Sequence, residues 1–474
     1  MTQRVVGWQR HHAGVATLVD SFRAIPPGRP IRLAKKTSNL FRARAAAEGP
    51  GLDTSGLTGV VEIDPVQHTA DVQGMCTYED LVDATLEHGL MPCVVPQLKT
   101  ITLGGAVTGL GIESTSFRLG LPHESVLEMD VLTARGDVVT ARPDGDEEQR
   151  LLYRGFPNSY GTLGYAVRLR IRLIPVSAYV ALRHLRFHSL PALQEEMARI
   201  VVEREHGGEA VDFIDGVVFS ADESYLVLGT MTDDPGPVSD YTGSGNKHEI
   251  YYRSIQHAQG VLRDRLTIRD YLWRWDTDWF WCSRAFGAQN PRVRRLWPAR
   301  LLRSSVYWKL VALDHRFDLA DRLGALRGQP PRERVVQDVE VDIKDTTAFL
   351  TWFLEQVQIE PLWLCPLRLA VDDPRPDGAR PWPLYPLEPG RTYVNIGFWS
   401  SAPIAPGTDR STWNERIEDK VLQLGGHKSL YSDAFYDAAT FDALYGGEQA
   451  ARLKAVFDPQ GRLATLYEKV VGAR

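Results

Sequence analysis

Only four cysteines stand among the 474 residues, at Cys76, Cys93, Cys282 and Cys365, and no two of them form a CxxC pair. Such spacing argues against a disulfide framework and a cysteine-based zinc site, points to no metal, and makes a reduced cytoplasmic compartment the expectation. No run of 18 apolar residues occurs, so no transmembrane segment is expected, and Met1 to Arg10 lacks the apolar centre of a signal peptide. Neither sign of charge is in large excess. The 54 basic and 60 acidic side chains leave a net charge of −6, which argues against nucleic acid as a partner. Several catalytic signatures are missing as well: GxxxxGK[ST] of the NTPases, HExxH of the zinc peptidases and the GxSxG elbow of the hydrolases. Gly109-Leu110-Gly111-Ile112-Glu113-Ser114 supplies a GxG. The third glycine of the dinucleotide fingerprint and its βαβ context are absent, so a Rossmann reading fails.

What is present is a chain of ordinary globular composition, 43% hydrophobic and 24% charged, long enough for two or three domains. The stretch Val95 to Gly120 is the most distinctive. Glycines at 104, 105, 109, 111 and 120 alternate there with Thr100, Thr102, Thr108, Ser114, Thr115 and Ser116. Backbone of this kind passes close to a ligand and offers N–H and hydroxyl donors, for which a diphosphate is the natural guest; a glycine-rich surface loop is the alternative. A short strand at Ile31 to Leu33 runs into Lys35-Lys36-Thr37-Ser38-Asn39, a second phosphate-facing turn or else a solvated basic loop. Gly161-Thr162-Leu163-Gly164 offers a third close approach to something flat or anionic.

Spacing predicts a helix over His12–Phe22, a strand pair at Val60–Ile63 and Thr69–Met75, a helix opened by Thr77 with Asp80 at the capping-box position, and a hairpin turning at Arg135-Gly136. In the strand Ala166–Ile174, Val167, Leu169, Ile171 and Leu173 share one face, and Arg168, Arg170 and Arg172 read as a solvated opposite face. Beyond Pro175 the texture changes to alternating strands (Val180–Phe187, Val211–Phe219, Tyr225–Met231, Val335–Ile343) and helices, an α+β domain on an antiparallel sheet. Arg269 to Arg303 is dense in tryptophan and arginine. It reads as core, as a cover over a large apolar ligand, or as a peripheral membrane contact.

The order of these pieces resembles the FAD-binding domain of the vanillyl-alcohol-oxidase superfamily, and more closely its delta(24)-sterol reductase (diminuto/seladin) branch. The residues that carry the likeness are Lys35-Lys36-Thr37, Thr102-Leu103-Gly104-Gly105 with Gly109 and Gly111-Ile112-Glu113-Ser114, Gly161-Thr162-Leu163-Gly164, Val335-Val336-Gln337-Asp338, Pro361-Leu362-Trp363-Leu364-Cys365-Pro366 and Leu430-Tyr431-Ser432-Asp433. The resemblance implies an α+β fold: a two-subdomain, non-Rossmann FAD-binding domain of PCMH type with an inserted antiparallel-sheet cap. It implies a division into residues 1–176 (FAD-binding domain), 177–425 (cap and substrate domain) and 426–474 (a C-terminal segment packing back on the first).

By the same resemblance, Lys36, Thr37, Ser38 and Asn39 line one cofactor loop, and Thr102, Gly104, Gly105, Gly109, Gly111, Ile112, Glu113 and Ser114 line another. Gly161, Thr162 and Gly164 approach the flavin, and Asn395 is a polar contact to it. The first loop has no histidine for covalent attachment, so FAD is expected to be non-covalent. The implied activity is reduction of a double bond between two carbons in the aliphatic tail of an apolar, sterol-like or isoprenoid substrate, with NADPH as electron donor. Glu113, Tyr393, Tyr431, Asp433 and Cys365 are the candidate proton donors. Two other readings stay open: an FAD-dependent alcohol oxidase or dehydrogenase on a lipid-linked or sugar alcohol, and a flavin-binding interaction protein without turnover. The eukaryotic reductases carry an N-terminal membrane segment, for which contact through Arg269–Arg303 is the expected substitute. The sequence sets no oligomeric state.

Overall fold

The structure, a computed structural model, describes residues 5–35, 41–42, 49–242, 249–256, 261–298, 301–317, 328, 330–370, 380–405, 407, 409 and 411–471, with the side chains of 261 and 311–317 excepted. Lys36, Thr37, Ser38 and Asn39 therefore lie outside the described residues.

The first sheet is antiparallel and has six strands: β1 (Val60–Asp64), β2 (Thr69–Gln73), β3 (Leu90–Pro92), β4 (Val126–Thr133), β5 (Val138–Ala141) and β6 (Gly164–Pro175). β6 lies in the middle, paired with β2, β3 and β4. The β1–β2 turn is made locally. The carboxylate of Asp64 accepts from the backbone N–H of Val66 and of Gln67, both at 2.9 Å, and Pro65 sits between. Thr77 caps the helix Tyr78–Leu86 by accepting from the N–H of Asp80, as its sequence pattern predicts. Thr102 does the same for the six-residue helix Leu103–Thr108. At position 104 a Cβ would come within 2.6 Å of the carbonyl oxygen of Gly74, so this glycine lets the short helix cross the backbone leaving β2.

The second sheet is also antiparallel. Its eight strands run in the order β12 (Val261–Thr267), β7 (Tyr179–Phe187), β11 (Glu223–Thr232), β10 (Phe213–Ser220), β14 (Leu362–Leu367), β15 (Tyr393–Pro403), β13 (Arg332–Asp342), β16 (His427–Lys428). A two-residue ladder, β8 (Glu205–His206) with β9 (Glu209–Ala210), stands apart. Period-2 alternation divides the eight-stranded sheet cleanly. Val335, Val339, Val341, Leu362, Leu364, Val394, Ile396 and Phe398 pack with the helices Leu190–Glu203, Thr346–Gln356 and Thr412–Gln423. Their neighbours Trp363, Cys365, Leu367 and Tyr393 face the other way and join the core of the first sheet.

One sequence reading changes and one narrows among its alternatives. Arg168 is not on a solvated face: only 7% exposed, it bonds Asp130 at 2.6 Å and Glu128 at 2.5 Å, and also Asp71. Arg170 and Arg172 are exposed as expected. The aromatics of the Arg269–Arg303 segment are mostly core, with Tyr271, Trp273, Trp275, Trp279, Phe280 and Trp281 all buried. Two of its arginines are buried ion-pair partners, Arg274 with Asp215 at 2.7 Å and Arg294 with Asp278 at 2.6 Å. Among the described residues no helix is long and apolar enough to cross a membrane.

Removing the Arg168 cation strands three carboxylates around one point. Arg168→Met is expected to lose about 3 kcal/mol of unfolding free energy at neutral pH in denaturant titrations. Without the cation, the carboxyl of Asp71, which burial already raises and Arg168 holds down, rises further above its unfolded value. The folded variant then binds more protons than its unfolded form, so the deficit grows as pH rises through the carboxylate range and shrinks below about pH 4. An equal deficit at pH 4 and pH 8 would contradict this account.

Candidate active site

Between the two sheets lies a cavity of about 1260 Å³, larger than the roughly 300–1,000 Å³ that encloses a drug-sized ligand. One wall is the loop from Pro96 through the helix Leu103–Thr108 to Ile112, with Tyr160 and Gly161 beside it. The opposite wall is the face of the second sheet that carries Asp338, Trp363, Asn395 and Trp399. Phe41, Trp279 and Phe280 add an aromatic side. The C-terminal segment closes the rest with Tyr431, Ala464, Glu468 and Lys469.

The glycine-loop wall suits an anion. Leu110, Gly111 and Ile112 line the cavity, and their three consecutive N–H groups have no hydrogen-bond partner among the described residues. Gly105 is exposed to the cavity in helical backbone, where a Cβ would meet only its own cap, Thr102 Oγ1, at 2.9 Å. Cationic groups reach the same space. Burial lowers the pKa of Lys35, whose Nζ donates, among the described residues, to the weak acceptor Sδ of Met75 at 3.2 Å. Lys469 is lowered to about 7, chiefly by burial and secondarily by nearby Arg42 and Lys454. Its Nζ donates to the carbonyls of Tyr160 and Gly161 at 2.8 and 2.9 Å.

The sheet wall suits a flat apolar guest with one buried acid. Trp279 and Phe280 are consecutive non-glycine residues at φ 45° and 57°, a left-handed conformation uncommon for bulky residues. Phe280 stacks on Trp399 with ring centroids 4.3 Å apart, and Phe41 stacks on Trp279 at 5.5 Å. Among these rings sits Asp338. Burial raises its pKa to about 6, and hydrogen bonds from Asn395 and Tyr431 pull the other way. Asn395 Nδ2 donates to Asp338 Oδ1 at 3.2 Å, and Trp399 Nε1 donates to the Tyr431 hydroxyl at 2.9 Å. Space for this arrangement comes from Gly397, where a Cβ would fall 2.4 Å from Asp338 Oδ1 and 2.6 Å from the Trp399 ring.

Of the residues singled out from sequence, Thr102, Gly104, Gly105, Gly109, Gly111, Ile112, Gly161, Asn395 and Tyr431 line the cavity. Glu113, Ser114, Thr162 and Gly164 stand behind its wall. Glu113 is buried and its pKa is raised, mainly by desolvation, against the nearby Arg274 cation. Ser114 Oγ meets the Tyr271 hydroxyl at 3.0 Å. Tyr393, whose hydroxyl accepts from the Glu388 N–H at 3.3 Å, and Asp433, whose carbonyl accepts from Lys428 Nζ at 2.5 Å, are not brought to the cavity, nor is Cys365. Sequence reasoning passes over Asp338, Gln97 and Lys469 as site residues. The signal for Asp338 is the alternation Asp338, Glu340, Asp342 between buried valines, which resembles a solvent face unless a second layer covers it.

Comparison with known proteins agrees with this geometry. Residues 10–142 match the family described as FAD binding domain. Over 427 residues the protein is 26% identical to the delta(24)-sterol reductase of Mus musculus and 25% to that of Homo sapiens, which amounts to 88% of this sequence and 77% of each relative. The delta(24)-sterol reductase of Arabidopsis thaliana is 25% identical over 444 residues, 88% of this sequence and 76% of its own. These matches make the protein similar to the delta(24)-sterol reductases over most of its length, with an FAD-binding domain at residues 10–142, and support an FAD-dependent oxidoreductase. The unpartnered N–H groups, the cationic rim and the aromatic wall fit that cofactor.

Gly105→Trp fills the cavity side of the short helix without asking for a forbidden backbone. The purified variant is expected to carry less than about a tenth of the wild-type FAD, while its apoprotein unfolds at the wild-type temperature. Stoichiometric FAD in the variant would refute the assignment of this wall.

Proposed function

We propose that the protein reduces a double bond between two carbons in the aliphatic tail of an apolar, sterol-like substrate, with NADPH as electron donor and non-covalent FAD in the cavity between the sheets. The observation that carries the reading is the buried acid, Asp338, set in an aromatic wall of the same cavity that offers unpartnered N–H groups to an anion. Neither histidine nor cysteine lines the cavity among the described residues, in keeping with non-covalent attachment. Residues 1–176 form the cofactor unit, 177–425 the cap, and 426–474 a segment returning to the first. In support of that division, Lys454 and Lys469 donate to carbonyls at 160–162, although His427 and Lys428 also extend the sheet of the cap. Thr102, Gly104, Gly105, Gly109, Gly111, Ile112 and Gly161 take the cofactor's phosphates and ribityl group, and Glu113 and Ser114 support that wall from behind.

FAD, when bound and reduced, supplies the hydride equivalent. The protein must supply a proton to the other alkene carbon and keep water out. An isolated alkene is a weak base, so the strongest available acid is favoured. Tyr431 has a pKa raised well above that of a free phenol by burial and by Asp338, so it is the poorer donor. Asp338 at about 6 is the better one. After transfer its carboxylate is met by Asn395 Nδ2 and the Tyr431 hydroxyl, while Trp399 Nε1 holds that hydroxyl in place. Trp279, Phe280 and Trp363 exclude water and hold the apolar substrate.

The test is anaerobic: reduce the enzyme with NADPH, then add a sterol unsaturated in its aliphatic tail and follow flavin reoxidation. Asp338→Asn is expected to slow reoxidation by about 100-fold or more while leaving reduction by NADPH unchanged. In the wild type the protonated form of Asp338 is lost as pH rises through about 6, so the reoxidation rate falls above that pH. Tyr431→Phe removes a donor to the carboxylate, which raises the Asp338 pKa and moves that descending limb to higher pH. Reduction by NADPH with no reoxidation by any alkene would count against the reductase reading.

A peripheral membrane contact forms part of the proposal, on a smaller patch than the whole segment 269–303. Val293, Leu296 and Leu301 are exposed beside Arg292 and Arg295. Leu296→Glu is expected to weaken binding to anionic lipid vesicles about tenfold in sedimentation, and unchanged binding would remove the patch from the proposal.

A further inference from the structure

Gln97 is 4% exposed and lines the cavity, yet its carbonyl oxygen has no hydrogen-bond partner among the described residues. Its amide nitrogen is committed: Nε2 donates to Glu113 Oε1 at 2.6 Å. That oxygen also accepts from the Ser114 N–H at 2.7 Å and lies 3.6 Å from Arg274 Nη2, so it is fixed as an acceptor. Rotating the Gln97 amide by half a turn would set two acceptors against each other. Glu113 is itself immobilised, its N–H bonded to Ser116 Oγ at 3.1 Å and the residue 3% exposed. The Gln97 oxygen is therefore held in a single orientation at a cavity wall. A buried acceptor of this kind left unmet carries a desolvation cost that a bound donor relieves.

We infer that Gln97 is a ligand-binding residue whose carbonyl oxygen accepts a hydrogen bond from a neutral N–H or O–H donor of the bound ligand, and that Glu113 is the positioning residue that aims it. This rests on the reading of the cavity as the FAD and sterol site. Two donors of that chemistry belong to it: the imide N–H of the isoalloxazine ring and a hydroxyl on the substrate. The location of Gln97 in the glycine-loop wall, which the proposed function gives to the cofactor, favours a flavin donor over a substrate hydroxyl.

The test begins with wild-type apoprotein titrated with FAD and with FAD methylated at the imide nitrogen. A loss of affinity of about tenfold for the methylated cofactor assigns the donor to the flavin. Gln97→Met, which keeps the length and removes the acceptor, should then show the same loss for FAD and no further loss for the methylated form. Glu113→Ala should lose part of that discrimination while keeping FAD bound. If wild type binds both cofactors alike, the substrate arm decides. A sterol and its methyl ether, compared by binding to the FAD-loaded enzyme, should differ about tenfold or more in wild type and equally little in Gln97→Met. Indifference of wild type to both methylations, within twofold, overturns the inference and leaves the oxygen to water. Failure of wild-type protein to take up FAD at all would instead overturn the reading on which it rests.

Discussion

The guanidinium of Arg274 is the point at which the separate parts of this protein are tied together. It is fully buried and bonds Asp215 at 2.7 Å with Glu113 at 3.6 Å. Asp215 belongs to the second sheet, Glu113 to the glycine-rich loop, and Arg274 to the aromatic segment between β12 and β13. Asp215 also accepts from the indole N–H groups of Trp275 and Trp363, each at 3.2 Å. A charge taken this far from water is tolerated only with its partners in place. The requirement is mutual, so the glycine loop, the sheet face and the tryptophan segment hold their relative positions as a set. The cavity wall inherits its rigidity from that set. The tryptophans of the 269–303 stretch are accordingly framework first, and only Trp279 and Phe280, turned by their left-handed backbone, present rings to the cavity.

Two buried carboxyls illustrate how environment assigns a role. Glu113 and Asp338 are both desolvated, and both have raised pKa values. Glu113 faces a cation, a backbone N–H and an amide, and its business is to hold them. The hydrogen bonds that hold Asp338 down come from neutral donors, Asn395 and Tyr431, and it opens on the cavity. A carboxyl stabilised by neutral donors alone gives up or retains its proton near neutrality. One stabilised by a fixed arginine serves better as an anchor. The separation in function between the two walls follows from that difference.

Local patterns are legible in the sequence wherever the determining partner lies a few residues away. Thr77 and Asp80 make their cap, Asp64 makes its turn, and the alternation of Val167, Leu169, Ile171 and Leu173 marks the buried face of β6. The glycine loop is legible too, through the order of motifs along the sequence, and nine of the named residues meet at one cavity. What escapes is anything decided by distant partners. Arg168 and Arg170 are two residues apart on one strand and look alike in sequence. One is surrounded by Asp71, Glu128 and Asp130 from neighbouring strands, and the other is in solvent. Asp338 looks solvent-facing until the first sheet, the tail and the tryptophans close over it. Gly104 and Gly105 are adjacent and have different reasons: one admits a crossing backbone, the other leaves room in the cavity.

The C-terminal segment completes the argument, because it contributes to both walls. Tyr431 reaches the acid on the sheet side, and the backbone N–H of Phe41 bonds the Tyr431 carbonyl at 2.9 Å. Some forty residues later Lys469 reaches the glycine side, bonding the carbonyls of Tyr160 and Gly161, while Lys454 bonds the Thr162 and Leu463 carbonyls and Asp458. Carbonyls drawn toward these ammonium groups keep the 160–162 turn in the left-handed conformation seen at Tyr160 and Gly161. Residues 431–469 hold both a partner of Asp338 and the turn at 160–162, so both walls of the cavity depend on this segment. The segment is thus part of the site itself, joining the chemistry on one wall to the anion cradle on the other.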